Sequence, residues 1–198
     1  MSAAPAVSAA RVADESVLGA REVLLAELAT SARAVEASQA AQAARMIGGA
    51  PRVFLAGAGR SGLVLRMAAM RFMHLGLRVH VVGETTTPAI RADDLLVVAS
   101  GSGSTSGVVK SAETAAKTGA QILAVTTDGG SPLANLATTT VLVPAVRKTD
   151  HVSSLSEQYS GSLFEQSLFV LIETIFHILW KTSDATAEEL WMRHANLE

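Results

Sequence analysis

The chain has 198 residues, 49% hydrophobic, 17% charged and only 4% aromatic, with a formal net charge of −2. That length and apolar content suit one α/β domain with a substantial core and exclude a disordered chain. The near-neutral charge and scarce aromatics argue against a nucleic-acid or polybasic membrane surface, and the lack of cysteine excludes a disulfide framework and thiolate chemistry.

Residues 1–13 are Ala-rich, without the basic start and continuous apolar core of a signal peptide, and read as a flexible tail. Residues 14–47 are good helix formers with an apolar stripe at Leu18, Leu25, Leu28 and Val35; Gly48, Gly49 and Pro51 end this helix or helix pair. The helical extension, 14–49, either covers its own sheet or packs on a neighbour. A β/α rhythm follows. Strands are expected at 53–56, 79–82, 95–99, 122–126 and 141–143, and helices at 63–75, 108–117 and 133–137. Strands apolar throughout and separated by helices imply a parallel sheet covered on both faces. The fold class is therefore α/β: a single doubly wound, flavodoxin-like five-stranded sheet spanning 50–185, with ligands at the strands' carboxyl ends. Residues 147–161 read as a surface loop. Residues 162–181 form a long helix that needs cover on most sides, yet Glu165, Glu173 and His177 charge it too much for a membrane span. Residues 186–198 form a C-terminal tail that contributes to the site or to an oligomer.

One stretch organises the rest. The β-branched run 95–99 empties into Ser100, Gly101, Ser102, Gly103, Ser104 and Thr105, with a helix directly after. Strand, small-polar loop and helix make an anion cradle, because loop N–H groups and unpaired first-turn donors converge where the helix dipole favours negative charge. A solvated turn with one capping hydroxyl would not need four. The stretch Gly57 to Gly62 matches a dinucleotide fingerprint, and Glu84 stands 22 positions after Gly62 where a ribose-binding acid would sit. The chain has no second mononucleotide half, so this stretch is read as a second loop beside the cradle, with Ser61 facing the same ligand.

Glu165 shares a helix face with Leu168, Phe169, Ile172 and Phe176. It is either a partly desolvated general base or a solvent-facing acid favoured by the helix dipole. Glu173 pairs by spacing with His177. His80 reads as structural and His151 as solvated. His74 and His194 stay open, and no spacing marks a zinc site.

Several separated segments carry a resemblance: Ala56 to Gly62, Ala69 to His74, Val82 to Pro88, Ser100 to Gly103, Gly161 to Gln166, and Arg193 to Glu198. Together they resemble the SIS (sugar isomerase) domain family and, within it, the 6-phospho-3-hexuloisomerases. The resemblance implies an enzyme interconverting D-arabino-hex-3-ulose 6-phosphate and D-fructose 6-phosphate through an enediol(ate), in the ribulose monophosphate route of formaldehyde fixation. A cytoplasmic location is expected from the residues, which show neither signal peptide nor membrane span nor cysteine. It implies a phosphate held by Ser61 and residues 100–105, Glu165 as proton acceptor, and His194 or His74 aiding ring opening. No metal or cofactor is expected. A homodimer or homotetramer is, as is functional coupling to 3-hexulose-6-phosphate synthase. The alternatives are a non-catalytic phosphosugar sensor, another phosphosugar aldose–ketose isomerase, or a nicotinamide-dependent dehydrogenase.

Overall fold

In a computed structural model of the chain, which describes residues 14–145, 156–159 and 161–197, the expected N-terminal helix is a pair. Helix α1 (Asp14–Arg33) and helix α2 (Ala37–Gly49) part where Glu36 takes an extended conformation. The alternating elements follow as β1 (Val53–Gly57), α3 (Gly59–His74), β2 (Val79–Val81), β3 (Leu95–Ala99), α4 (Ser106–Thr118), β4 (Gln121–Thr126), α5 (Pro132–Leu136) and β5 (Thr139–Leu142). Helices α6 (Ser162–Thr182) and α7 (Ala187–Trp191) close the chain. Boundaries differ from the sequence expectation mostly by a residue or two, and by four at the start of α3. Helix α3 begins at Gly59, so Gly59 to Gly62 form its first turn and not a loop, and β5 starts at Thr139, two residues early. The tail over 1–13 and His151 lie outside the described residues.

The sheet is wholly parallel in the order β2-β1-β3-β4-β5. From β1 the chain crosses to one side through α3; from β3 it crosses to the other through α4. Right-handed crossovers in opposite directions put these helices on opposite faces. The period-two alternation of each strand shows the division. Val53, Leu55, Leu95, Val97, Leu123 and Val125 pack with α2, α3 and α6, whereas Phe54, Ala56, Leu96, Val98, Ile122 and Ala124 pack with α4 and α5. The N-terminal extension is thereby split in role. Helix α2 sinks Ala43, Ala44 and Ile47 into the core, while α1 leaves Val17, Leu18, Leu24 and Leu25 exposed.

Helix α6 is long and apolar enough to cross a membrane by length and composition alone, contrary to the charge argument from sequence, but half of its most apolar window is buried within the fold. At the amino edge of the sheet, Asp94 is buried against Arg52. Nε and Nη2 of Arg52 donate to its two oxygens at 2.8 and 2.5 Å, and the Arg91 N–H donates at 2.6 Å. Burial raises the Asp94 carboxyl, but these donors and the positive charges of Arg52 and Arg91 outweigh it and hold the group below the usual carboxylate range.

Candidate active site

The switch in strand order falls between β1 and β3, whose ends lie side by side with Gly57 opposite Ala99. The first turn of α3 packs tightly onto the end of β1. A Cβ on Gly62 would come within 2.7 Å of the Gly57 carbonyl oxygen, and one on Gly57 within 3.0 Å of Gly62 Cα. These glycines therefore let helix and strand touch. Their role is packing, which seats the first turn of α3, with Ser61 nearly buried in it, on the end of β1 next to β3.

Residues 100–105 are held by a dense set of bonds. The Gly101 carbonyl accepts from the Thr127 N–H (3.1 Å), Thr126 Oγ1 (3.1 Å) and Thr127 Oγ1 (2.9 Å). A trans peptide aims its N–H opposite to its carbonyl, so the Ser102 N–H faces away from β4. Gly103 has φ +61 and sits where a Cβ would strike Ser131. The Ser100 and Thr105 hydroxyls share a hydrogen bond of 2.9 Å. Ser102 Oγ accepts from the N–H and the hydroxyl of Ser104 at 3.3 and 3.0 Å. With its hydroxyl turned to Ser100, Thr105 leaves α4 without a side-chain cap, and the N–H groups of Ser106 and Gly107 have no intrahelical acceptor. Those donors and the dipole of a 13-residue helix point at the cradle mouth.

Glu165 lies in the first turn of α6 and is only 4% exposed, so the solvent-facing alternative does not hold. Its neighbour Phe164 packs over Gly101, whose Cβ would meet the ring at 3.4 Å, which puts the start of α6 against the cradle. Arg60 Nε donates to Glu165 Oε1. The Arg60 side chain is 69% exposed, so a buried carboxylate is balanced by a guanidinium standing in water. A largely apolar hollow of about 360 Å³, lined by Leu28, Arg60, Leu63, Met67, Glu165 and Phe169, opens beside this pair. A second hollow, about 380 Å³, lies at the amino edge of the sheet near Asp93 and Asp94 and includes none of these residues.

The other candidates sort differently. Glu173 does not depend on His177: it meets Arg71 of α3 at 3.4 Å, while His177 packs edge-on to Trp180. His80 lies against the Phe54 ring. Glu84 pairs with Arg66 at 2.7 Å on the surface. His74 is 4% exposed and stacks on His194 at 3.9 Å between ring centroids. Both stand at the far end of α3, about 20 Å along the helix axis from Ser61. Arg193 Nη1 ties the C-terminal tail there by donating to the His74 carbonyl at 2.8 Å. Burial, then the charges of His194 and Arg71, push the His74 imidazole below its ordinary range. The structure thus packs the helix start that carries Glu165 on the 100–105 loop, joins Glu165 to Arg60 beside Ser61, and places the two histidines together at the far end of α3. Sequence reasoning missed Arg60, Thr126, Thr127 and Ser131; only Ser131, before Pro132, carried a local signal, as the cap of α5 that it is. Among the described residues no cluster of three His, Asp or Glu is placed to hold a metal.

A family model described as the SIS domain matches residues 46–170. The chain is 59% identical over 196 residues to a 3-hexulose-6-phosphate isomerase of Mycobacterium gastri, covering 99% of this chain and 98% of that one. It is 35% identical to the 3-hexulose-6-phosphate isomerase of Bacillus subtilis (strain 168), covering 88% and 95%. A Methanococcus jannaschii protein, for which the same function was inferred from its crystal structure, superposes with TM-score 0.77 at 28% identity, covering 91% of this chain and 99% of its own.

Proposed function

This chain belongs to the SIS domain family, and from that premise we propose that it interconverts D-arabino-hex-3-ulose 6-phosphate and D-fructose 6-phosphate. The observation that carries the reading is a buried carboxylate, Glu165, whose helix start packs on an anion cradle. The Ser102 N–H, the first-turn donors of α4 and the hydroxyls of Ser61, Ser100, Ser102, Ser104 and Thr105 hold the phosphate, with Gly101 and Gly103 shaping the loop. Phosphate held away from the reacting carbons supplies orientation. Glu165 then takes the proton from C2, giving an enediol(ate), and returns it to C3, while the proton of the C2 hydroxyl passes to the C3 oxygen, so that C2 becomes the carbonyl and C3 the hydroxyl. Arg60 supplies a positive charge beside the base and the intermediate. The reaction needs no redox cofactor.

His74 and His194 stand apart from Glu165 of their own chain, so ring opening by either requires a second copy to bring the pair to the site. Exposed apolar side chains on α1 and α3, among them Leu25, Leu63, Met67 and Met70, support a homodimer or homotetramer that does this. The core unit spans 50–185 with the helical extension before it, and the enzyme works in the cytoplasm on the product of a 3-hexulose-6-phosphate synthase in formaldehyde fixation. Purified protein incubated with hexulose 6-phosphate, coupled to detection of fructose 6-phosphate, tests the reading. Turnover is expected; tight phosphosugar binding without turnover would indicate a sensor built on the same fold.

A further inference from the structure

Glu27, in the middle of α1, accepts three hydrogen bonds from one short segment far along the chain. Ser156 Oγ donates at 2.6 Å, the Glu157 N–H at 2.7 Å and Gln158 Nε2 at 2.9 Å. Burial raises this carboxyl, but those donors outweigh it and hold it below the ordinary range, so it is an anion at neutral pH. The chain of bonds continues inward. Gln158 Oε1 accepts from Gln166 Nε2 at 2.7 Å, and Gln166 adjoins Glu165. One turn further along α1, Ser31 receives the Ser167 hydroxyl at 2.8 Å and donates to the Pro144 carbonyl at 2.7 Å. A single face of α1 therefore grips α6 at the two residues that follow Glu165, Gln166 by way of Gln158 and Ser167 by way of Ser31. Glu27 also borders a hollow of about 540 Å³ with Thr127, Pro144 and Leu163, and among the described residues its hydrogen bonds go to residues 156–158 and not to the cradle.

We propose that Glu27 is a positioning residue for the isomerisation, fixing the first turn of α6 so that the Glu165 carboxylate is aimed at the substrate. The inference rests on the isomerase reading above. Holding a base within about 1 Å of its working position is worth up to roughly 100-fold in rate. Removing Glu27 leaves the cradle whole, so the loss falls on kcat and not on phosphate affinity.

The experiment compares Glu27→Ala and Glu27→Gln in the full chain, with Asp94→Asn as a destabilised control remote from the site. Glu27→Ala is expected to lower kcat about 10-fold or more, with KM for hexulose 6-phosphate within about three-fold. Glu27→Gln, whose amide oxygen still accepts hydrogen bonds, recovers part of it. Adding Gln158→Ala to Glu27→Ala costs little more, because both cut one relay. Unchanged kcat, no recovery in Glu27→Gln, or an equal kcat loss in Asp94→Asn would overturn the proposal. Should Glu27→Ala not fold, Glu27→Gln decides alone: a lower kcat at constant KM supports the role and wild-type kcat refutes it. Amide hydrogen exchange over 162–168 adds a readout independent of turnover, expected to quicken in Glu27→Ala; wild-type rates would refute the tie. Inactive wild type would sink the isomerase reading, and exchange would still decide the tie.

Discussion

Gly103→Ala is the sharpest perturbation of the cradle. The residue sits at φ +61, where a side chain costs about 1–2 kcal/mol. The added Cβ would fall 2.1 Å from Ser131 Oγ, 2.4 Å from Ser131 Cβ and 3.0 Å from Thr126 Oγ1. Ser131 Cβ is bonded to the backbone and its hydroxyl caps α5, so neither yields as the end of a flexible side chain does, and overpacking adds about 1–3 kcal/mol. The total destabilisation, about 2–5 kcal/mol, is read from urea unfolding by linear extrapolation. The physical origin is separable, because Ser131→Gly removes the two nearest atoms while losing only a few tenths of a kcal/mol of capping. In that background the same substitution should cost about 1–3 kcal/mol less. Phosphosugar affinity should fall with stability in the single variant, since the loop must move to admit the methyl. Stability within about 0.5 kcal/mol of wild type, or equal cost in both backgrounds, would refute the reasoning.

Ser102→Ala removes a hydroxyl at the cradle and an acceptor that orders Ser104. Hydrogen bonds to a charged partner are worth about 1.5–3 kcal/mol, so phosphosugar affinity by calorimetry should weaken about 10- to 100-fold, with kcat nearly kept. Asp94→Asn breaks a buried pair and should cost about 3–5 kcal/mol at pH 7. Because the folded carboxyl lies below its ordinary value of 3.8, that advantage holds above it and fades as pH falls below it; urea titrations of both proteins at descending pH show the gap closing. His74 runs in a related sense. Its folded imidazole resists protonation, so wild type loses stability as pH falls below the ordinary value of 6.5, whereas His74→Gln lacks that slope. Unfolding midpoints at pH 8 and pH 5 compare the two.

The sheet was legible because its strands are short apolar runs, among them 53–56, 95–99 and 122–126, and two-faced burial leaves no other use for them. The cradle was legible for a similar reason, as hydroxyls and glycines concentrate in six consecutive residues. What escaped was set by partners distant in sequence. Gly59 to Gly62 read as a loop because glycine disfavours a helix interior; the close contact of Gly62 with Gly57 explains why a helix begins there regardless. Glu173 had an apparent partner at i+4 and took one on another helix, Arg71, 102 residues away. The link between Arg60 and Glu165 spans 105 residues, and the His74–His194 stack joins two motifs that look unrelated along the chain. No local pattern encodes such pairs, since they follow from which helices the crossovers bring together.

Glu165 is the group proposed to move the proton, and the isomerisation depends on it. Wild-type protein and Glu165→Gln, compared in the coupled conversion of hexulose 6-phosphate to fructose 6-phosphate and in phosphosugar binding, test this directly. Loss of general base catalysis predicts a kcat at least about 100-fold lower, with affinity within a few-fold. Turnover near that of wild type in Glu165→Gln would contradict it.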